Sequence, residues 1–302
     1  MMSAKHIFNF GCFMVKILLL TGFAGVGSNA ANGQQRLQKL ERQMIAAVQG
    51  FKGDIGFYVE DLKTGKSAGY RADTVFPTAS IVKVPILVGV MDQVAKGRLD
   101  YHQKLVYKDS LLYEGEDILG SFKNNEPVEL SKVMMLMLTL SDNTASLWLQ
   151  SLGGTGTHIN LLLDSLGLKH TRVNSRTPGR EAYRGQYGWG QTTPAEMALL
   201  FKLIYTGKVV SPAACQRMLR LLGRNHWDEE ALSAIPAGVF VASKNGAVNA
   251  SRSEVVLVLG KRPYLLSIFT KNNTDQSWGT ENEAWVLTRK LSAMVWQAMG
   301  GD

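Results

Sequence analysis

Two cysteines and five histidines in 302 residues leave little from which to build a cross-linked or metal-held fold. Two thiols cannot form a disulfide framework or a cysteine-rich zinc site. His102, His158, His170 and His226 show no ligand spacing, so neither a metal nor another cofactor is expected. The one G-x-S-x-G, Gly65 to Gly69, falls in a hairpin turn and its returning strand rather than at a strand-to-helix turn, so it does not read as the nucleophile elbow of an α/β-hydrolase. The sequence has no basic run or nucleic-acid motif, so the net charge of +8 does not read as a nucleic-acid surface. Internal repeats and low-complexity linkers are also missing. What is there is ordinary globular composition, 45% hydrophobic and 19% charged, which excludes disordered, collagen-like and coiled-coil chains. The length allows one large domain or two small ones.

The first thirty residues carry Lys5 and Lys16 and no acid. Val15 to Val26 is nearly all apolar or small, and Ser28-Asn29-Ala30 offers small residues to a signal peptidase. The apolar run is shorter than the ~20 residues that span a bilayer. Residues 1–30 therefore read as a cleavable secretory signal, with export to the periplasm or medium and no stable membrane insertion afterwards. An uncleaved amino-terminal anchor is the other reading of the segment. Cys12 precedes the apolar run, which excludes a lipid anchor. Cleavage after Ala30 leaves 272 residues, a charge of +6 and one cysteine, Cys215. Such an exported chain must be held by its core alone.

Beyond the signal, Gln35 to Gln49 has a helical apolar face of Leu37, Leu40, Met44, Ile45 and Val48. Ile55 to Asp61 and Ser67 to Arg71 read as a hairpin turning at residues 61–66. Ser80 to Lys96 reads as an apolar helix. Residues 130–140, 145–152, 194–205 and 212–222 form a helical block. Strand character returns at Val239–Lys244, Glu254–Gly260 and Tyr264–Thr270, and a last helix covers Glu281–Met299. Both ends must combine into one antiparallel sheet with the helical block inserted between them. Gly153-Gly154-Thr155-Gly156 follows a helix and reads as a helix-ending loop, not a phosphate cradle. Trp148, Trp189, Trp278, Trp285 and Trp296 read as core, and Tyr113 as a residue that could flank a cleft.

Three segments carry chemistry. In Thr78-Ala79-Ser80-Ile81-Val82-Lys83, Ser80 and Lys83 share a helical face. Desolvation in the apolar run lowers the pKa of Lys83, which suits it to accept a proton from a hydroxyl. Ser141-Asp142-Asn143 is a polar turn between apolar helices. Its hydroxyl can relay a proton and its amide can hold a carbonyl. Lys244-Asn245-Gly246-Ala247 closes a strand pattern with positive potential and room for close backbone approach. Taken singly, each is more simply read as structure: a snorkelling lysine, a helix cap and a strand exit.

Together, in this order and 61 and 103 residues apart, the three resemble the motif set of the penicillin-recognising serine enzymes, especially class A β-lactamases. Ser-Asp-Asn-Thr-Ala (141–145) and Thr-Thr-Pro (192–194) extend the resemblance over nearly all of residues 31–302. It implies an α/β (α+β type) fold with a five-stranded antiparallel sheet. The α/β part would be residues 31–80 and 225–302, and the helical part residues 81–224. It implies Ser80 as acylated nucleophile, Lys83 as its general base or proton shuttle, Ser141 as proton relay to the leaving nitrogen, and Asn143 as amide holder. Lys244, with Asn245 and Gly246, would support the substrate, and the Ser80 and Ala247 N–H groups would form the oxyanion hole. Arg252 would either contact a substrate carboxylate or lie on the surface.

Two positions depart from the pattern. Asn245 replaces the usual hydroxyl but can still donate to a carboxylate. The loop glutamate that activates the deacylating water in class A enzymes falls on Thr177, which cannot act as that base. Glu181, four residues on, either takes over or pairs with Arg180 or Arg184 and only folds the loop. The resemblance implies a monomer that opens β-lactam rings. A penicillin-binding or DD-peptidase-like acyl transferase on peptidoglycan-like substrates, a slowly deacylating hydrolase, and a non-catalytic binding module remain the alternatives.

Overall fold

The computed structural model describes residues 24–301, with side chains from Gln35. Most of the expected signal lies outside the described residues. The chain runs α1 (Ala24–Ala47), β1 (Asp54–Asp61), β2 (Lys66–Tyr70), β3 (Phe76–Pro77), a 3-10 turn (Ala79–Val82), α2 (Lys83–Ala95), β4 (Lys104–Val106) and β5 (Pro127–Glu129). It continues through α3 (Leu130–Met135), α4 (Asn143–Leu152), α5 (Thr155–Ser165), β6 (Arg172–Val173), α6 (Glu181–Tyr187), β7 (Gly190–Thr192), α7 (Pro194–Tyr205) and α8 (Pro212–Leu222). β8 (Val241–Val248), β9 (Ser251–Val258), β10 (Tyr264–Lys271) and α9 (Glu283–Ala298) complete it. No helix among the described residues is long and apolar enough to cross a membrane.

One five-stranded sheet, ordered β2-β1-β10-β9-β8 with every pair antiparallel, joins the two ends of the chain. Every residue of β9 is buried, so both faces of the sheet are covered. Alternation divides its side chains between two cores. Val255 and Leu257, with Leu265 and Phe269 of β10, pack among the helical block. Val256, Val258 and Leu266 pack with Leu40 and Met44 of α1 and Leu291 and Val295 of α9. The sheet is thus a wall between the inserted helices and the two terminal ones.

The boundaries differ from the sequence reading at two places near the site. The expected helix from Ser80 starts as a 3-10 turn and becomes α-helical only at Lys83. Ala79 there has φ of 44°, a left-handed backbone that an L-residue adopts only when its surroundings impose it. The strand expected to end at Lys244 runs on to Val248, so Lys244 to Ala247 lie inside β8. Asn245 and Gly246 are poor strand formers, and pairing with β9 overrides that local preference.

Candidate active site

The 3-10 turn and the first turn of α2 set Ser80 and Lys83 one above the other. Lys83 Nζ lies 2.9 Å from Ser80 Oγ, 3.0 Å from Ser141 Oγ and 2.9 Å from Asn143 Oδ1. It also donates to the Ser141 carbonyl. The amine is fully buried. Burial, and the positive charge of Lys244, hold its pKa well below the usual lysine value, while Glu116 and Asp142 pull the other way. A neutral Lys83 can accept the Ser80 hydroxyl proton.

The second segment is shaped by a change of helix type. After α3 the chain widens into a π turn at Leu136–Leu140, and Ser141 takes φ of 65°, a left-handed residue that ends the run. Asp142 then caps α4 through Ala145 N at 2.7 Å. Its other oxygen accepts from Ile118 N at 2.7 Å and Leu119 N at 2.8 Å. The cap and the site are therefore one arrangement: Asp142 anchors the 112–120 loop while Ser141 and Asn143 reach Lys83.

The third segment meets the first by backbone approach. A Cβ on Gly246 would lie 2.5 Å from the Thr78 carbonyl oxygen and 2.9 Å from Ser80 N, so only glycine lets β8 pack against the 3-10 turn. Lys244 is completely buried, and Nζ donates to Asn245 O at 2.8 Å and Asn245 Oδ1 at 3.1 Å. Burial lowers its pKa to about 8, with Glu116 and Glu254 opposing. Glu254, paired with Asn245 across the strands, is buried and pushed up to about 8. With Asn245 Oδ1 turned to Lys244, the amide nitrogen is the end left for a ligand.

A cleft opens at Ser80 in two lobes of about 640 and 300 Å3. Ser80, Glu116, Ala247 and Trp278 line both. Asn143, Tyr113 and Trp189 line the larger, with the Tyr113 and Trp189 rings edge to face at 5.1 Å. Ser141, Asn245 and Gly246 line the smaller.

Two expected site residues stand elsewhere. Glu181 is exposed at the start of α6, and its Oε1 accepts from Gly179 N at 3.1 Å. It lines neither lobe. Arg180, its supposed partner, is committed to Asn174 Oδ1 at 3.0 Å and Gln191 Oε1 at 2.8 Å. Thr177 is buried and bonds the Ser175 carbonyl at 2.9 Å. Arg252 is fully buried and surrounded by main-chain oxygens, so it neither reaches the surface nor presents a free fork to a carboxylate. Sequence reasoning missed Glu116, which has no motif, and it assigned Trp278 to the core; Trp189 does pack against the core and also walls the larger lobe. Trp278 is 62% exposed.

A serine hydroxyl, a desolvated amine, a second hydroxyl and a strand edge meeting at one cleft have the chemistry that acyl transfer to a serine requires. The model of the β-lactamase enzyme family matches residues 38–299, and the chain belongs to that family, as a serine hydrolase with the β-lactamase-like α/β fold. Among curated proteins it is similar to the β-lactamase BRO-1 of Moraxella catarrhalis, 23% identical over 68% of this chain and 66% of that one. The chain thus spans just under two thirds of that relative. Among solved structures it is similar to PBP-A, 26% identical with a TM-score of 0.77 over 87% of this chain and 96% of that one. A point variant of PBP-A has been solved as an acyl-enzyme complex with penicillin G, at 26% identity and a TM-score of 0.74 over 89% and 96% of the two chains. A β-lactamase of Sphaerobacter thermophilus shares the fold at 22% identity, with a TM-score of 0.77 over 87% and 97%.

Proposed function

We propose that this protein is an exported serine hydrolase that opens β-lactam rings by forming an acyl-enzyme on Ser80 and releases the product slowly. The observation that carries the reading is the Lys83 amine, buried and within 3.0 Å of both Ser80 Oγ and Ser141 Oγ. Lys83 takes the Ser80 proton as Oγ attacks the lactam carbonyl. The Oγ–carbonyl bond forms, the ring C–N bond breaks, and Ser141 passes the proton to the leaving nitrogen. The N–H groups of Ser80 and Ala247 hold the oxyanion, and Asn143 orients the amide. Lys244 and Asn245 support the substrate's anionic end.

Slow release follows from the loop before β7. It offers a buried Thr177 and an exposed Glu181, and neither lines the cleft that holds Ser80. This favours the penicillin-binding or DD-peptidase-like behaviour over fast turnover, and the similarity to PBP-A supports it. Nitrocefin mixed with the purified protein should give one stoichiometric burst followed by slow hydrolysis. Sustained rapid turnover without a burst would contradict slow release.

A further inference from the structure

Trp278 is the exposed aromatic residue that lines both lobes of the cleft together with Ser80. Its ring is not loose. Arg252 of β9 places its guanidinium 4.5 Å from the ring centroid, a cation–π contact. Arg252 Nη2 donates to the Ser277 carbonyl at 2.7 Å, one residue before the tryptophan. Nη1 donates to the Ser251 carbonyl at 3.0 Å and to the Val248 carbonyl at the end of β8. The loop after β10 is fastened at its other end as well. Asp275 accepts from Ser277 N at 3.0 Å and Glu283 N at 2.8 Å, and Asn282 Nδ2 donates to the Ser277 carbonyl at 3.0 Å. A planar, multiply donating side chain buried behind an exposed indole is a support for that indole.

We propose that Trp278 is a specificity-determining residue that packs against an aromatic side chain of the acylating substrate, with Arg252 as the positioning residue that holds it there. This rests on the acyl-transfer reading of Ser80. The chemistry selects an aryl group because the larger lobe is walled by Trp278, Trp189, Tyr113 and Tyr187. Aromatic faces and edges attract one another beyond the area they bury.

The test compares Ser80 acylation rate constants for benzylpenicillin, which carries a phenyl ring, and 6-aminopenicillanic acid, which does not. Trp278→Ala should lower the benzylpenicillin-to-6-aminopenicillanic acid ratio about 3- to 10-fold, and Trp278→Phe should recover much of it. Arg252→Ala should lower the ratio when Trp278 is present and leave it unmoved when position 278 is already alanine. Where Arg252→Ala does not fold, Arg252→Lys serves, because a lysine cannot fasten the same set of carbonyls. A ratio unchanged in Trp278→Ala overturns the proposal. An equal drop with and without Trp278 overturns the positioning role of Arg252. No adduct with either penicillin in the unaltered protein overturns the acyl-transfer reading itself.

Discussion

At the scale of single residues, the proposed acylation needs two lysines in opposite states. Lys83 must be neutral to take the serine proton, and Lys244 must be charged to attract an anion. Burial lowers both. The acylation rate should therefore rise as pH passes the lowered Lys83 value and fall as pH passes about 8, where Lys244 loses its proton. Lys244→Arg keeps the charge at all these pH values, so the falling limb should move to higher pH. Stopped-flow acylation across pH measures it, and an unmoved falling limb would show that another group sets it. The residues on this scale were unequally legible in the sequence. Ser80 with Lys83, and Ser141 with Asn143, lie in short local patterns whose geometry is fixed within one turn. Glu181 was reached by counting along a loop, and counting cannot show which way a loop side chain points. Glu116 and Trp278 belong to no pattern, and only the fold brings them to the cleft.

At the scale of elements, the site is a contact between β8 and the 3-10 turn before α2. Gly246 permits it, because any Cβ would strike backbone atoms, which cannot rotate away. Gly246→Val should lower acylation at least tenfold through displacement of the strand from Ser80, with a smaller loss of thermal stability. Penicillin labelling and thermal unfolding of the same preparation check this, and full labelling would contradict it. Helices were legible where apolar spacing is regular: Pro194–Tyr205 and Pro212–Leu222 have the bounds read from the sequence. Strand ends near the site were not. β9 begins at Ser251 and β8 reaches Val248, each beyond the apolar pattern that revealed it. Asn245, Gly246 and Arg252 are unlike strand residues and are strand residues here because their neighbours pair with them.

At the scale of the whole molecule, two cores on either face of one sheet carry the stability. Cys215 is buried and free, so no disulfide joins the described residues and packing alone holds them. Phe201 of α7 is completely buried in the core on the helical side. Phe201→Ala should destabilise the protein by about 3–5 kcal/mol, readable as a shift of the urea midpoint. A midpoint left in place would mean that the helical side contributes little to the global transition. The overall order of elements, with helices inserted between a two-strand and a three-strand group, was legible because the two periodicities alternate along the chain. Under the proposed function, this fold presents Ser80 for acylation. Intact-protein mass spectrometry after addition of penicillin G, followed over time, is the decisive measurement. The expected result is a mass increase of one whole penicillin molecule, absent in Ser80→Ala and slow to disappear. No adduct on the unaltered protein, or the same adduct on Ser80→Ala, would contradict it.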